Sequence, residues 1–340
     1  MIKLIKKILG VLLTFTLVFS LVGCSNNETT AKKEETKITL TDQAGRKIVL
    51  KEPANKLVST YYISTYACLA LGLSDNLVGI EQKADSRPIY SMVNSKLLEL
   101  PQVGSMKGIN IEAIADLEPD LVILPLKLKD NADTLDDLGV KSIVVNPESD
   151  ELLLEMLSLL AKATGKDDQA KLLNSYYDDK IEKMEEYGDS NKTVYIGSNS
   201  AFLETAPGTM YQSKMIEIAG GKNVAKDIEG DYWTAVSYET LLQLNPDIII
   251  IPPAASYSVQ DVLNDSQLSS LTAVKNNAVY QMPKGIEEWD SPVPSAILGS
   301  MWLASILHED KYSFDDFKED VVDFYDTFYG FEVDQSLITR

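Results

Sequence analysis

The sequence predicts an α/β protein with two Rossmann-like lobes, each built on a parallel sheet, that are joined by a single long interdomain helix. Residues 110–124 recur in similar form at residues 237–251, and the strand inside each copy is apolar throughout. Strands that are apolar on both faces are typical of a parallel sheet covered by helices on both sides. Residues 166–187, between the two copies, contain no proline or glycine, which indicates one uninterrupted helix.

Length, composition and charge exclude several classes of function. The 340 residues are enough for two lobes of ordinary size, and the hydrophobic content of 45% is that of a globular protein. Lys and Arg number 31 against 51 Asp and Glu, and the net charge of −20 argues against a nucleic-acid partner. A single histidine, His308, excludes a multi-histidine metal site, and two cysteines exclude a disulfide framework.

The N-terminal residues predict export and a lipid anchor. Residues 1–23 combine three lysines with an apolar run too short to span a bilayer, which is typical of a signal peptide. The run ends in Leu-Val-Gly-Cys, which resembles a bacterial lipobox, so we expect Cys24 to be lipidated. The mainly polar residues 24–37 predict a flexible tether. The protein is therefore expected outside the cytoplasm, anchored to the bacterial cell membrane. The alternative is an ordinary signal peptide with an incidental cysteine.

The N-terminal lobe is expected at residues 38–148. Short apolar runs bounded by turn residues predict its strands at residues 56–60, 76–80, 120–125 and 141–146. The spacing of apolar residues predicts helices at residues 63–71 and 134–138.

A helical region is expected at residues 149–190, followed by the C-terminal lobe at residues 191–335. Residues 166–187 are long enough to run along both lobes as the bridging helix. The alternative is a packing helix inside one lobe. In the C-terminal lobe, strands are expected at residues 193–198, 247–252 and 278–282, and helices at residues 212–219 and 294–307.

The duplicated segment has the same physical interpretation in both halves. A short helix is expected to begin at an N-cap, Asn110 or Ser237, and to end before a Pro-Asp pair that opens a strand. Glu112 and Glu239 occupy the first turns of these helices, where the helix dipole favours an exposed carboxylate. Two matching exposed features suit a partner with two-fold symmetry.

The order of these motifs resembles that of the substrate-binding lipoproteins of ABC importers for iron–siderophore chelates, haem and cobalamin, the Fe/B12 periplasmic-binding family. Besides the lipobox and the duplicated Glu…Pro-Asp unit, short segments carry the resemblance: Thr41 to Arg46, Lys56 to Ser59, Gln102 to Gly104, Ala219 to Asn223 and Pro294 to Leu303. The resemblance implies a monomeric, non-catalytic receptor without a cofactor, and a ligand cleft between the lobes. It also implies an ABC permease dimer as partner, docked through Glu112 and Glu239. The alternative is that these glutamates only cap their helices.

The ligand-binding residues are expected where loops follow the strands and face the cleft. The candidates are Tyr61, Tyr62, Arg87 and Met106 in the N-terminal lobe, and Met210, Tyr211, Trp233 and Trp289 in the C-terminal lobe. The resemblance implies that Trp233 and the segment around Trp289 line the cleft, and that Met106 stands where some cobalamin binders carry tryptophan. The alternative for each aromatic residue is a place in the core.

The residue types favour a metal chelate as the ligand. Aromatic walls bury a large organic chelate, whereas a bare metal ion needs converging histidines and carboxylates. Arg87 is the one obvious cation for the cleft, and Ser295 stands where many siderophore binders carry arginine. A neutral or cationic chelate is therefore favoured over an anionic tris-catecholate. Ferric siderophore, cobalamin and haem all stay open, although no histidine is placed to ligate haem.

Two other classes of function stay as alternatives. A receptor for free Zn²⁺ or Mn²⁺ has a similar architecture, but the lone histidine leaves it only an all-carboxylate site. A surface-anchored hydrolase is less favoured, because the sequence contains no Gly-x-Ser-x-Gly segment and His308 is its sole candidate base. We therefore expect no enzymatic activity.

Overall fold

The computed structural model describes residues 37–340. The predicted signal peptide, the predicted lipidation site Cys24 and residues 24–36 of the predicted tether lie outside the described residues. Within residues 37–340, no helix is both long enough and apolar enough to cross a membrane.

The N-terminal half of the described chain alternates strands and helices. In chain order they are β1 (Ile38–Thr41), β2 (Lys47–Leu50), β3 (Leu57–Ser59), α1 (Tyr62–Ala70), β4 (Leu77–Gly79), α2 (Pro88–Asn94), β5 (Gly104–Ser105), β6 (Gly108–Ile109), α3 (Ile111–Asp116), β7 (Leu121–Pro125), α4 (Asn131–Asp137) and β8 (Ser142–Val145). Two long helices follow, α5 (Asp150–Thr164) and α6 (Asp167–Tyr187).

The C-terminal half has the same alternation and ends in two helices. Its elements are β9 (Thr193–Ile196), β10 (Glu204–Thr205), α7 (Tyr211–Ile218), β11 (Lys222–Asn223), β12 (Thr234–Ala235), α8 (Tyr238–Leu244), β13 (Ile248–Ile251), α9 (Val259–Asn264), α10 (Thr272–Lys275), β14 (Val279–Gln281), α11 (Ile297–Leu307) and α12 (Phe314–Tyr329).

Two four-stranded parallel sheets form the centres of the two lobes, which confirms the predicted α/β architecture. The first sheet has the order β4-β3-β7-β8 and the second has the order β11-β9-β13-β14. Numbered within each lobe, both orders are 2-1-3-4, so the lobes share a topology. Every neighbouring pair in both sheets is parallel.

The seven predicted strands are all present, each slightly shorter than expected, and the bridging helix begins one residue later than predicted. The elements that the sequence did not predict include β11 and α12. Strand β11 has only two residues, and the Gly-Gly pair before it is typical of the end of a helix, so no strand was predicted there. Helix α12 is amphipathic, and Ser313 and Asp316 form a capping box at its start, so the sequence did hold a signal for it.

The duplicated segments adopt the same local structure in both lobes. Asn110 and Ser237 cap α3 and α8, as predicted, and each accepts a hydrogen bond of 3.0 Å from the backbone N–H three residues later. After each helix one residue adopts the left-handed backbone conformation, Glu118 with φ 46° and Asn245 with φ 41°. This turn redirects the chain into the Pro-Asp pair and the strand that follows.

The aspartate of each Pro-Asp pair fixes the start of its sheet. Asp120 Oδ2 accepts hydrogen bonds from the backbone N–H groups of Asn55 and Lys56, at 2.9 and 2.8 Å, just before β3. Asp247 Oδ2 accepts from the N–H and the hydroxyl of Thr193, at 2.9 and 2.8 Å, where β9 begins. Each aspartate therefore joins the third strand of its lobe to the first.

Helix α6 connects the two lobes. Near its start, the side-chain amide of Gln169 donates to the carbonyl of Ala70 at the end of α1, at 3.4 Å. Midway along, the buried Tyr177 donates to the carbonyls of Val293 and Pro294, at 3.3 and 3.1 Å, ahead of α11. The helix thus contacts both lobes, as predicted for a bridging helix.

The largest cluster of buried hydrophobic side chains runs through both lobes without a break. It includes Leu57 and Ile123 from the first sheet, Ile196 and Ile250 from the second, and Tyr177 from the bridging helix. The opposite face of each sheet packs against a separate cluster. We call the large one the shared cluster. Because protein interiors are close-packed, a shared interior leaves the lobes little freedom to hinge.

Candidate functional site

The strand order places the candidate site at the carboxyl ends of the two sheets. In each lobe the order reverses where the first strand lies beside the third, β3 beside β7 and β9 beside β13. Ligands of open α/β sheets bind outside the carboxyl ends of the strands at such a switch point. Tyr61 and Tyr62 come directly after β3 and therefore lie at this edge.

Arg87 lies at the centre of a cluster that joins the two lobes. Its guanidinium carbon is 4.0 Å from the ring centroid of Tyr62, and its Nη1 is 3.4 Å from the hydroxyl of Tyr66. Glu81 of the N-terminal lobe approaches Nε at 3.5 Å, and Glu288 of the C-terminal lobe approaches Nη1 at 3.5 Å. The positive charge of Arg87 is therefore shared between two carboxylates. We call these five residues the Arg87 cluster.

A direct hydrogen bond also crosses between the lobes in this cluster. The hydroxyl of Tyr66, on α1, donates to Oε2 of Glu288 at 3.1 Å. Glu288 lies in the loop between β14 and α11, and 31% of its side chain is exposed. The lobes are thus in contact at the solvent-exposed edge of the cluster.

Four tyrosines extend from this edge into the N-terminal lobe. Tyr61, Tyr62, Tyr66 and Tyr90 pack edge to face in succession, with ring centroids 5.2, 5.7 and 5.7 Å apart. Burial, and next the charge of Glu288, raise the pKa of Tyr62 to about 12, so its hydroxyl is neutral at ordinary pH. Ring faces with neutral hydroxyls suit an organic ligand that also carries oxygen atoms.

Buried hydroxyl groups hold the acid beneath Arg87 in place. Thr65 donates to Oε2 of Glu81 at 2.6 Å, and Ser64 donates to the carbonyl of Tyr61 at 2.7 Å. Both hydroxyl residues lie on α1 and are fully buried. The orientation of Glu81 is therefore set within the N-terminal lobe, whereas Arg87 also contacts Glu288 of the C-terminal lobe.

The other apolar candidates lie against the same hydrophobic interior. Half-buried side chains that pack against the shared cluster include Tyr62, Met106, Met210, Tyr211 and Trp233. Tyr211 also donates a hydrogen bond to the carbonyl of Ala296, at 3.3 Å. The structure thus brings candidates from both lobes to one hydrophobic cluster, whereas their contact with a ligand stays a prediction.

Trp289 does not line the gap between the lobes, and the expectation that it would is wrong. Its side chain is 1% exposed, its indole N–H donates to the hydroxyl of Tyr325 at 2.9 Å, and its ring packs edge-on against Phe317. Both contacts lie on α12. The indole N–H of Trp289 is therefore satisfied by a hydrogen bond inside the C-terminal lobe.

The same loop buries two carboxylates in different ways. Glu287 accepts hydrogen bonds from the hydroxyls of Tyr325 and Tyr329, at 2.9 and 3.0 Å. Asp290 is 1% exposed, and its Oδ1 has no hydrogen-bond partner within residues 37–340. Burial is the main cause that raises the pKa of each carboxyl to about 7.

Glu112 and Glu239 are both exposed in the first turns of α3 and α8. The capping hydrogen bonds of these helices come from Asn110 and Ser237. The structure therefore gives the two glutamates equivalent places in the two lobes, and their role in docking stays a prediction.

The residues that bear on metal binding and nucleophilic chemistry are mostly buried. In the part of the chain that the structure describes, no group of three or more His, Cys, Asp and Glu side chains is arranged to hold a metal ion. His308 follows α11 and is buried, with an exposure of 4%. Cys68 is fully buried, and burial raises the pKa of its thiol to about 12.

A separate groove of about 490 Å³ lies between α6 and α7. None of the predicted ligand residues lines it. Its walls carry charges of both signs, with Lys214 and Lys222 facing acids such as Asp150 and Asp189, which does not indicate a particular ligand.

Sequence reasoning missed three residues of this region: Tyr66, Glu81 and Gln212. It expected Glu288 and Asp290 only as part of the segment around Trp289. A signal existed for Tyr66, because it lies one helical turn after Tyr62 on α1 and therefore on the same face. The contact of Glu288 with Arg87 had no local signal, since about two hundred residues separate them in the chain.

Comparison with known proteins agrees with the fold. The family described as periplasmic binding protein matches residues 57–285 of the chain. The molybdate-binding protein MolA of Haemophilus influenzae is 24% identical over 318 residues, which cover 85% of this chain and 90% of that protein. The high-affinity heme uptake system protein IsdE of Staphylococcus aureus is 26% identical over 212 residues, which cover 58% of this chain and 72% of that protein.

A solved structure shares the two-lobed architecture over nearly the whole described chain. A periplasmic solute binding protein from Veillonella parvula superposes with a TM-score of 0.79 and 27% identity, over 88% of this chain and 94% of that one.

Proposed function

The chain belongs to the periplasmic binding protein family, and on this premise we propose that it captures a bulky metal chelate between its lobes for delivery to an ABC permease. As a member of this family it is a non-enzymatic, extracytoplasmic solute-binding receptor of an ABC importer. The chelates in question are a ferric siderophore, cobalamin and haem.

The observation that carries the proposal is the Arg87 cluster. It joins residues of both lobes next to Tyr61 and Tyr62, which lie at the carboxyl edge of the first sheet. Tyrosine rings offer apolar faces to an organic chelate, and the guanidinium offers donors to its oxygen atoms. A ligand that enters here must separate Arg87 from Glu288, so binding and the contact between the lobes are coupled.

The charges of this region favour a neutral or cationic chelate. Glu81 and Glu288 each lie 3.5 Å from the guanidinium of Arg87, and a third acid, Asp290, is buried two residues after Glu288. Three acids thus stand around a single guanidinium, so carboxyl groups outnumber cations in this cluster. An anionic tris-catecholate would therefore meet net repulsion.

An oxyanion is the second candidate. The relative MolA, which matches 85% of this chain, is by its name a molybdate-binding protein. A guanidinium and neutral tyrosine hydroxyls are donors that suit an oxyanion. This candidate ranks lower because the donors of Arg87 already face two carboxylates, which compete with any anion.

The proposal also assigns Glu112 and Glu239 to permease docking and Cys24 to lipid attachment. The equivalent, exposed places of the two glutamates support docking onto a dimeric permease with matching arginines. The Leu-Val-Gly-Cys sequence supports the anchor.

Calorimetric titration of the purified protein tests the proposal. The panel consists of a ferric tris-hydroxamate, cobalamin, haem, a ferric tris-catecholate, molybdate and Zn²⁺. We expect a neutral or cationic chelate to bind most tightly. Tight binding of molybdate alone would instead support the second candidate, and tight binding of Zn²⁺ alone would support a receptor for the free metal.

A further inference from the structure

The buried carboxylate of Asp290 lacks the partners that such a group normally has. Its Oδ1 has no hydrogen-bond partner within residues 37–340, although the residue is only 1% exposed. The side-chain amide of Gln212 donates to the main-chain carbonyl of Asp290 at 2.8 Å, and Gln212 Oε1 is also buried without a partner within those residues. Two acceptor atoms are thus left unsatisfied on two residues in direct contact.

Asp290 lies where the two lobes meet. Burial comes first among the causes that raise the pKa values of Tyr62, Tyr211 and Tyr257, and the negative charge of Asp290 adds to it in each case. Tyr62 lies on α1 of the N-terminal lobe, whereas the other two tyrosines belong to the C-terminal lobe. Glu288, two residues before Asp290 in the same loop, accepts a hydrogen bond from Tyr66 on α1, so this loop lies against the N-terminal lobe and Asp290 lies close to both lobes.

In the described part of the chain, Asp290 forms no ion pair with a Lys, Arg or His side chain. The charged group that acts most strongly on it is Glu288, an acid that disfavours its ionised form. The positive charge of Arg87 is engaged by Glu81 and Glu288. A buried charge without a partner is strongly destabilising, and natural proteins keep such a group mainly where a ligand or ion completes it.

The neighbouring acid shows what a structural carboxylate in this loop looks like. Glu287 is equally buried, but its two oxygen atoms accept hydrogen bonds from Tyr325 and Tyr329. Within residues 37–340, Oδ1 of Asp290 receives no such donor, and the carboxyl has only its own backbone N–H as a hydrogen-bond partner, so it lacks the support that Glu287 has.

We propose that Asp290, with Gln212 beside it, is a ligand subsite that accepts a positively charged or N–H-donating group of the solute. This proposal rests on the proposed function and narrows it. The favoured substrate class is a metal chelate with a protonated amine, its oxygen atoms facing the Arg87 cluster and its ammonium group reaching Asp290.

A matched pair of probes tests this assignment. One probe is a ferric tris-hydroxamate that carries a pendant primary ammonium group, and the other is the same chelate with that amine acetylated. Both are titrated calorimetrically into the wild-type protein, Asp290→Asn and the control Glu287→Gln. The two chelates have the same iron coordination, so a difference in affinity reports the ammonium group.

We expect the wild-type protein to bind the ammonium chelate at least roughly tenfold more tightly than the acetylated one, because a charge-assisted hydrogen bond contributes about this much to affinity. Asp290→Asn should lose this preference, and Glu287→Gln should keep it. The melting temperature of Asp290→Asn should equal or exceed that of the wild type, because the substitution removes an unpaired buried charge. A loss of preference then cannot be attributed to unfolding.

Equal binding of both chelates by the wild type, or a preference that survives in Asp290→Asn, would overturn the subsite while leaving the chelate receptor intact. If the wild type binds neither of these chelates nor cobalamin nor haem, the proposed function fails and the subsite fails with it.

Discussion

The two lobes are alike in their scaffold and different in the side chains at their meeting edge. Both have the strand order 2-1-3-4, an exposed glutamate in the first turn of a capped helix, and an aspartate that ties the third strand to the first. The N-terminal lobe supplies the guanidinium and the row of tyrosines, whereas the C-terminal lobe supplies the acids of the loop before α11. The shared features thus build the frame, and the unshared side chains are the ones to which the proposed function assigns ligand binding.

The largest expected effect concerns a feature that both lobes share, the exposed glutamate in the first turn of a capped helix. Glu112→Lys combined with Glu239→Lys should reduce chelate uptake by cells to background, because both carboxylates of the proposed docking surface are reversed in charge. Chelate affinity of the purified protein should be unchanged. As a control, Asp116→Lys makes one such charge reversal in the last turn of α3 and should transport normally, whereas each single variant of Glu112 or Glu239 should lower uptake. Normal uptake by the double variant would remove the docking role.

The next-largest effect is on the pH dependence of stability. It depends on buried acids with raised pKa, which lie in α5 and in the C-terminal lobe. Burial is the main cause that raises the pKa of Asp150 to about 6, and of Glu287 and Asp290 to about 7. Between pH about 4 and about 7 the folded protein therefore binds more protons than the unfolded chain, whose carboxyls titrate near pH 4. The free energy of unfolding should fall by a few kcal/mol as pH rises through this window.

Urea denaturation at a series of pH values measures this dependence. In Asp290→Asn the free energy of unfolding should decrease less as pH rises. The variant should also be more stable than the wild type above pH about 7, where the wild-type carboxyl is ionised. Asp168→Asn removes a fully exposed acid and should leave the profile unchanged. A wild-type stability that rises steadily across the window would contradict the burial of these carboxyls.

A third test concerns the cation that only the N-terminal lobe provides at the meeting edge. Arg87→Met should weaken chelate binding roughly tenfold to a hundredfold, because both a charged donor and the contact with the Tyr62 ring are lost. Calorimetric titration measures the change. Arg340→Met is a matched control, since Arg340 pairs with Glu309 beyond α11. Equal affinities of the Arg87 variant and the wild type would exclude a ligand at the Arg87 cluster.

The smallest expected effect tests whether the turns after α3 and α8 are equivalent in the two lobes. Glu118 and Asn245 both adopt positive φ, and asparagine tolerates this conformation better than glutamate. Glu118→Asn should therefore stabilise the protein by less than about 1 kcal/mol in urea denaturation. The reverse change, Asn245→Glu, should cost more, because Asn245 Oδ1 also accepts a hydrogen bond from the N–H of Thr272 at 2.9 Å. A loss of stability in Glu118→Asn would show that the two turns differ.

The sequence was sufficient for features that depend on nearby residues. The parallel strands are continuous apolar runs, the bridging helix lacks breakers, and the caps Asn110 and Ser237 stand at fixed distances from their helices, so all of these were predictable. Strand β11 was not, because two residues give no periodicity.

The errors at the candidate site came from contacts between distant parts of the chain. Trp289 stands among polar residues and therefore resembled an exposed loop residue, but Glu287 and Asp290 on either side of it are buried too. Their burial depends on α12, whose tyrosines satisfy Glu287. The partners of Arg87 likewise follow from tertiary packing, which no local pattern encodes.

The shared cluster has a consequence for how the molecule comes apart. Since hydrophobic side chains of the first sheet, the bridging helix and the second sheet belong to one interior, there is no seam along which one lobe could melt before the other. Heating should thus give a single calorimetric transition, and proteases should find no stable half-molecule to release.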